Sequence, residues 1–344
     1  MSSRRAIVMA TLLGAMTARE DVAQAAPKEW IFASVAPDGT PAAEALRAAG
    51  RLLEEVSGGA IKVKYRLGGI LGDETDMVRL CQKGQIQLSA GTVGGAVPVL
   101  PELRALETPY LFPDPAATLR VGDALQRGDR GDRAMLRVLG RKHGLELSAL
   151  VFVGWRAIVS VRKPIHSPRD LHRLRVRAQP SDLHPVIWQA LGASPKSFGV
   201  NELNSALDVD LVDAFDLPTF MLFATNLVER VRFVTQARHV ASIGVFLINA
   251  GAFASLTPAA QSRFRARAPS MAAQLSNRHI QLEDELTTLL PQRGVQVITP
   301  TAAEMAEFRA ALRPVEAYVR RTGSKQELEL LDLAQRIVRE GAGK

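Results

Sequence analysis

Between residues 30 and 90 the chain alternates short apolar runs with amphipathic, capped segments, a pattern that demands a parallel sheet. Residues 30–35 read as a strand. Thr40 and Pro41 then supply an N-cap and a first helical residue, and the helix runs to Val56 before Ser57, Gly58 and Gly59 stop it. Residues 61–65 alternate as a strand should. Gly68, Gly69 and Gly72 make a turn, Asp73 to Asp76 open the next helix, Gly84 ends it, and residues 86–90 form a third strand. Parallel neighbours need crossover connections, and each connection here is a helix.

The same reading continues downstream. Residues 100–112, punctuated by prolines, are expected as a loop packed on the sheet. Helices are expected near 114–127 and 130–142, then strands at 145–153 and 157–161, with Gly154, Trp155 and Arg156 leaving the first of these. A second group of strands follows, at residues 174–177, 233–235, 244–249 and 296–298. Thr257 and Pro258 cap a long helical region that reaches about Leu290, with Pro269 as a place where it bends or breaks. Thr301 with Glu304, and Ser324 with Glu327, are two capping boxes opening C-terminal helices. Several crossings between two sets of strands predict an α/β protein of two lobes around a cleft.

Residues 171–219 carry the most informative polar pattern. Leu174 and Val176 alternate with Arg175 and Arg177, so Arg177 ends a short strand just before a helical run to Leu191. Open α/β sheets place ligands at such strand ends. A guanidinium there can hold a carboxylate through two parallel charged hydrogen bonds. Spacing alone equally allows Arg175 and Arg177 to be two solvated arginines among many.

Composition narrows the function. The formal net charge is +8, but basic residues are scattered singly among 35 acids, and 3 Trp, 3 Tyr and 12 Phe offer no stacking platform, so nucleic-acid binding is not expected. The single cysteine, Cys81, forms no internal disulfide and reads as a buried helix-face residue. The six histidines lie in no metal-ligand spacing, no G-x-S-x-G elbow is present, and the glycine turn at 68–72 lacks a P-loop's Lys-Ser/Thr. The acids Glu283, Asp284 and Glu285 read as the solvated face of the long helix. Binding without catalysis, cofactor or metal is the expectation. Residues 1–26, with Arg4 and Arg5, an apolar middle and Ala23-Gln24-Ala25, read as an export signal cleaved near Ala25.

Several stretches then match a known pattern in order and spacing: 59–63 (Gly-Ala-Ile-Lys-Val), 69–73 (Gly-Ile-Leu-Gly-Asp), 83–86 (Lys-Gly-Gln-Ile) and 109–112 (Pro-Tyr-Leu-Phe). The run continues with 164–171, 174–177 (Leu-Arg-Val-Arg), 192–195 (Gly-Ala-Ser-Pro), 201–207 and Val212-Asp213. Together they resemble the periplasmic solute receptors of TRAP transporters, the DctP-type family. The resemblance implies a two-lobed periplasmic binding protein fold, each lobe a mixed sheet flanked by helices. It implies lobe 1 at 27–153 plus about 243–282, lobe 2 at 154–242 plus about 283–300, and C-terminal helices over 301–344. It also implies a periplasmic protein, expected as a monomer with a dimer as the alternative, that binds a small carboxylate and docks on membrane permease subunits.

By the same resemblance Arg177 is the principal carboxylate-binding residue and Arg156 its support, with Asp216 orienting one or the other. Leu217 stands where the family usually has an amide, and Ala214 where it usually has glycine. Thr92 and Glu74 face the ligand from the first lobe; Trp155, Phe215 and His184 complete the candidate set. Leu217 replaces a polar contact with apolar surface, which predicts an acid with an apolar or aromatic body over a polyhydroxylated sugar acid. The alternatives are an exported receptor that senses or delivers an apolar, lipid-like acid without a permease, and an enzyme on a similar two-lobed scaffold.

Overall fold

The computed structural model describes residues 27–126 and 135–342. The proposed export signal and the start of the helix expected near 130 lie outside them. The chain runs β1 (Lys28–Ala33), α1 (Pro41–Val56), β2 (Ile61–Arg66), α2 (Glu74–Gln82), β3 (Leu88–Thr92), α3 (Val93–Ala96), α4 (Pro115–Gln126) and α5 (Met135–Lys142). It continues through β4 (Leu145–Trp155), β5 (Ala157–Ser160), β6 (Arg175–Ala178), α6 (His184–Ala190), β7 (Ser194–Ser197), α7 (Leu203–Asp208), β8 (Ala214–Leu217) and α8 (Thr219–Ala224). The last elements are β9 (Phe233–Thr235), β10 (Ala241–Asn249), α9 (Ala250–Ala254), α10 (Pro258–Leu289), β11 (Gln296–Ile298), α11 (Ala302–Thr322) and α12 (Lys325–Gly341).

Two sheets form, each flanked by helices. The first has the order β2-β1-β3-β10-β4, the second β11-β9-β5-β8-β6-β7. β2 and β3 both pair with β1 in parallel, as the alternating pattern requires. β10 lies antiparallel between β3 and β4. In the second sheet β6 is parallel to both β7 and β8, while β5 is antiparallel to β8 and β9. The local signals account for the helix starts: Thr40 Oγ1 accepts from the Ala43 amide, and Asp73 forms a capping box with Asp76. Nearly every residue of β4 is buried, consistent with its continuous apolar run.

The chain crosses between the sheets three times: from β4 to β5, from β9 to β10, and from α10 to β11. α10 has 32 residues, a length of about 48 Å at the usual rise. Pro269 does not break it. The proline is buried with its neighbours Phe264, Ala268 and Ala272, and that packing offsets the lost backbone bond. Toward its end α10 reaches the second lobe, where His279 meets Phe220 edge-on at 5.4 Å.

Four local expectations are corrected. Pro101–Glu107 is a buried 3-10 helix, not a loop. β4 continues to Trp155, past Gly154, whose φ of +132° and crowding by Glu283 and Pro218 exclude any side chain. Glu327 does not close a capping box. Ser324 Oγ accepts from its amide, but its carboxylate turns to Arg104, taking Nε at 2.7 Å and Nη2 at 2.9 Å. Arg104 also pairs with Asp182, so one buried guanidinium ties the 3-10 segment to both α12 and the second lobe. Finally, Glu283 is no solvated residue. Its Oε1 accepts from Thr219 Oγ1 at 2.7 Å, its Oε2 is buried without a partner, and burial pushes its pKa up to about 7.

Two outcomes are expected. Glu327→Ala should cost about 3 kcal/mol in urea unfolding, because Arg104 is left buried with the half-exposed Asp182 as its one charged partner beside the neutral Thr322 hydroxyl. Glu283 holds its proton more tightly folded than unfolded, where a glutamate titrates near 4.3. Its contribution is therefore full below about pH 4.3 and lost as pH rises through about 7. The stability of Glu283→Gln minus that of the parent should grow across that window by roughly 3–4 kcal/mol, then level off.

Candidate ligand-binding cleft

A cavity of about 140 Å³ lies where the two sheets face each other. That is roughly ten times the space one water molecule needs. Most of its wall is apolar, from α1, β4, β10, α8 and α10, and most of its polar residues gather where β3 and the α2 start meet β6 and the β4–β5 crossing, with Ser242 on β10 and His279 on α10 set apart.

Arg177 sits on β6 with Val176 and Ala178 turned into the core on either side of it. It is 2% exposed. Its Nε donates to the Phe198 carbonyl at 2.9 Å, and among the described residues no hydrogen bond or ion pair engages Nη1 or Nη2. Burial, and then the neighbouring Arg156 charge, push its pKa down to about 10. The guanidinium thus lines the cavity charged and unmatched.

Arg156, at the crossing between sheets, is the opposite case. Its Nε and Nη2 donate to the two oxygens of Asp216 at 2.7 and 2.8 Å, and Nη2 also reaches the Asp216 carbonyl at 2.9 Å. Its Nη1 donates to Gln179 Oε1 at 3.0 Å. One Nη1 hydrogen is left over of the five a guanidinium carries. Burial works against ionisation of Asp216, but the charge and hydrogen bonds of Arg156 hold the carboxyl well below its usual range. Ionised, Asp216 only accepts, so His239 Nε2 carries the proton in their 3.0 Å contact. Asp216 orients Arg156, not Arg177, and lies behind the cavity wall.

From the first lobe, Glu74 turns away from its helix terminus into the cleft. Its Oε1 accepts from the Thr92 amide at 3.0 Å and its Oε2 from Thr92 Oγ1 at 2.7 Å. Burial raises the Glu74 pKa, against the Thr92 hydrogen bonds and the charges of Arg177 and Arg156. Gln179 joins the lobes: its Nε2 donates to Thr92 Oγ1 at 2.8 Å and to Glu74 Oε2 at 3.1 Å, while its Oε1 holds Arg156. Sequence reasoning missed this residue. The signal was its position two beyond Arg177, the strand period that puts both on one face.

Arg177, Arg156, Glu74, Thr92 and Leu217 all line the cavity. Four candidates do not: Asp216, behind the wall, and three others. Trp155 precedes Arg156 on the opposite face and packs edge-on against Phe152 at 5.5 Å. Phe215 precedes Asp216 and is buried in the apolar core of the second lobe with Val159 and Val234. His184, on α6, is fully buried and its Nε2 meets Glu107 Oε1 at 3.2 Å. Trp155 lies past the register irregularity of β4 between Phe152 and Gly154, which breaks the alternation, and Phe215, on the same strand face as Leu217, is taken up wholly by core contacts; His184 is taken by an acid distant in sequence. Among the described residues no cluster of His, Cys, Asp and Glu could hold a metal ion, and no helix is long and apolar enough to cross a membrane.

Glycines make room for this arrangement. A Cβ on Gly94 would lie 2.8 Å from both Gln179 and Glu107, and one on Gly95 would collide with the Glu74 side chain. Gly95→Ala should therefore expel Glu74 from Thr92 and lower the urea midpoint by the equivalent of about 1–3 kcal/mol.

Comparison with known proteins agrees with this geometry. Residues 32–322 match the family model of bacterial extracellular solute-binding proteins, family 7 (DctP). A solute-binding protein of Verminephrobacter eiseniae is 26% identical over 283 residues, 82% of each chain. The 2,3-diketo-L-gulonate-binding periplasmic protein YiaO of Escherichia coli is 26% identical over 252 residues, 72% of this chain and 74% of that one. A TRAP periplasmic solute-binding protein of Bradyrhizobium, solved with D-galacturonate, superposes with a TM-score of 0.80 at 27% identity. It covers 91% of this chain and all of its own. The cleft between two mixed sheets is thus that of a receptor, and the chain belongs to family 7 of the bacterial extracellular solute-binding proteins, the DctP family.

Proposed function

We infer that this protein is the periplasmic solute receptor of a TRAP-type transporter and that it binds a small organic acid by pairing the acid's carboxylate with Arg177. The observation that carries the reading is the Arg177 guanidinium, buried in the cleft with both terminal nitrogens unengaged. An unpaired buried cation is costly, and a carboxylate entering the cleft removes that cost while completing a forked, charge-assisted pair. Exclusion of water strengthens the pair. The spare Nη1 hydrogen of Arg156 supports the same anion, with Asp216 keeping that guanidinium in place.

In this reading the protein binds and releases its solute unchanged, and membrane permease subunits receive it. Export with removal of about the first 25 residues belongs to the same proposal. The ligands named for the relatives above, 2,3-diketo-L-gulonate and D-galacturonate, are sugar acids and share the carboxylate. The apolar walls of the cavity favour one variant of the reading, a receptor delivering an apolar acid without a permease. Solute uptake by vesicles carrying a TRAP permease, with and without the receptor, separates the two.

Arg177→Met should abolish binding of the acid, a loss of about 3 kcal/mol or more than a hundredfold, measured by calorimetry. Without ligand, its melting temperature should equal or exceed that of the parent, because an unpaired buried charge has been replaced by apolar surface. Unchanged affinity would remove Arg177 from the site.

A further inference from the structure

The cavity wall is mostly apolar along α1, β4 and α10, and its fixed cations are Arg156 and Arg177. Ala42, Ala45, Leu46 and Ala49 line it from one face of α1, over about 10 Å of helix. Ala149, Val151 and Val153, alternate residues of β4, line it over about 13 Å. Met271, Leu275 and His279 repeat every four residues along α10 for about 12 Å. Three of the four α1 positions are alanine, so the wall gives up volume to whatever lies against it. His279 adds no charge there. Its Nδ1 donates to the Leu275 carbonyl at 2.9 Å, and burial keeps the ring neutral by lowering its pKa.

The charge count at the polar end is equally restrictive. Among the described residues the cavity is lined by two fixed cations, Arg156 and Arg177. Asp216 already neutralises Arg156 through both oxygens. Glu74 stands across the cleft with its acceptors filled by Thr92 and Gln179. One guanidinium remains for one carboxylate. A second carboxylate would have no cation to meet, and away from the arginines the hydroxyls of a sugar acid would face mostly alanine, valine, leucine and methionine, with the unpartnered Ser242 Oγ and His279 Nε2 as isolated exceptions. Leu217 extends the apolar wall up to the arginine end.

On the reading that Arg177 takes a carboxylate, we propose that the ligand is a monocarboxylate with an elongated apolar body. It lies carboxylate-first against Arg177, with its body between α1, β4 and α10. Its affinity then depends on chain length, because each further methylene buried along these walls leaves water.

The test is calorimetry and thermal shift on the full receptor, stripped of ligand by unfolding and refolding. The probes are butanoate, hexanoate, octanoate, 3-phenylpropanoate, succinate, D-glucuronate and 1-octanol. Affinity should rise roughly three- to fourfold per methylene from butanoate to octanoate, with succinate and D-glucuronate at least tenfold weaker than octanoate. Ala45→Phe, which fills the α1 wall, should weaken octanoate at least fivefold more than it weakens butanoate. Tight binding of D-glucuronate or succinate that Arg177→Met abolishes would overturn the apolar-body assignment and leave the Arg177 anchor standing. Binding of 1-octanol as tight as that of octanoate would instead overturn the anchor. A flat response to chain length in the parent protein overturns the proposal whatever the variant does.

Discussion

Asp216 can neutralise one guanidinium, and the geometry of the β4–β5 crossing gives it to Arg156. Two hydrogen bonds to the carboxylate and one to the Asp216 carbonyl fix that arginine on its own strand partner's sheet. The consequence is that Arg177, nearby and equally buried, has no acid of its own. The second charge is held in the cleft by covalent position, at a free-energy cost that a ligand anion can remove. A site of this kind stays preorganised when empty, because the arginine that is already paired cannot swing across to compete with the one that is not.

The two lobes meet through a few polar contacts that act on this site. Gln179 touches Arg156 on its own lobe and Thr92 and Glu74 on the other. The close approach it requires explains why residues 91–95 contain three glycines: side chains of Glu74 and Gln179 lie directly on that backbone. Arg104 makes a second bridge between the lobes through Asp182, and the same guanidinium anchors α12 through Glu327. Beside the β4–β5 crossing, Glu283 on α10 receives the Thr219 hydroxyl next to Gly154. These contacts join segments that are brought together only when both lobes are folded and facing.

Local structure was largely legible in the residues themselves. The alternation at 30–90, the caps at Thr40 and Asp73, and the glycine stops depend on neighbours within a few positions, and they appear where the periodicity places them. Arg177 could be singled out through its strand-end position and the family resemblance. The weaker readings share one cause. Glu327 satisfies the capping-box spacing, yet Arg104, 223 residues away, takes its carboxylate. Glu283 sits in an acidic run typical of a solvated face, yet the second lobe closes over it. His184, Trp155 and Phe215 are the right residue types near the right positions, but a register irregularity in β4, core packing in the second lobe and a distant glutamate keep them from the cleft.

By itself the sequence determined most of the strands and helices, though not β7 or β8, the parallel half of the first sheet and the presence of an arginine near the end of a sheet strand, because these follow from local period and steric preference. Tertiary structure decided which arginine is paired and which is left open, since that depends on where Asp216 lies relative to two guanidiniums 21 residues apart. It also decided the shape and apolarity of the cavity, which arises from three faces contributed by α1, β4 and α10. No single face reveals a cavity, because a stripe of alanine, valine or methionine looks the same whether it faces a core or an empty space.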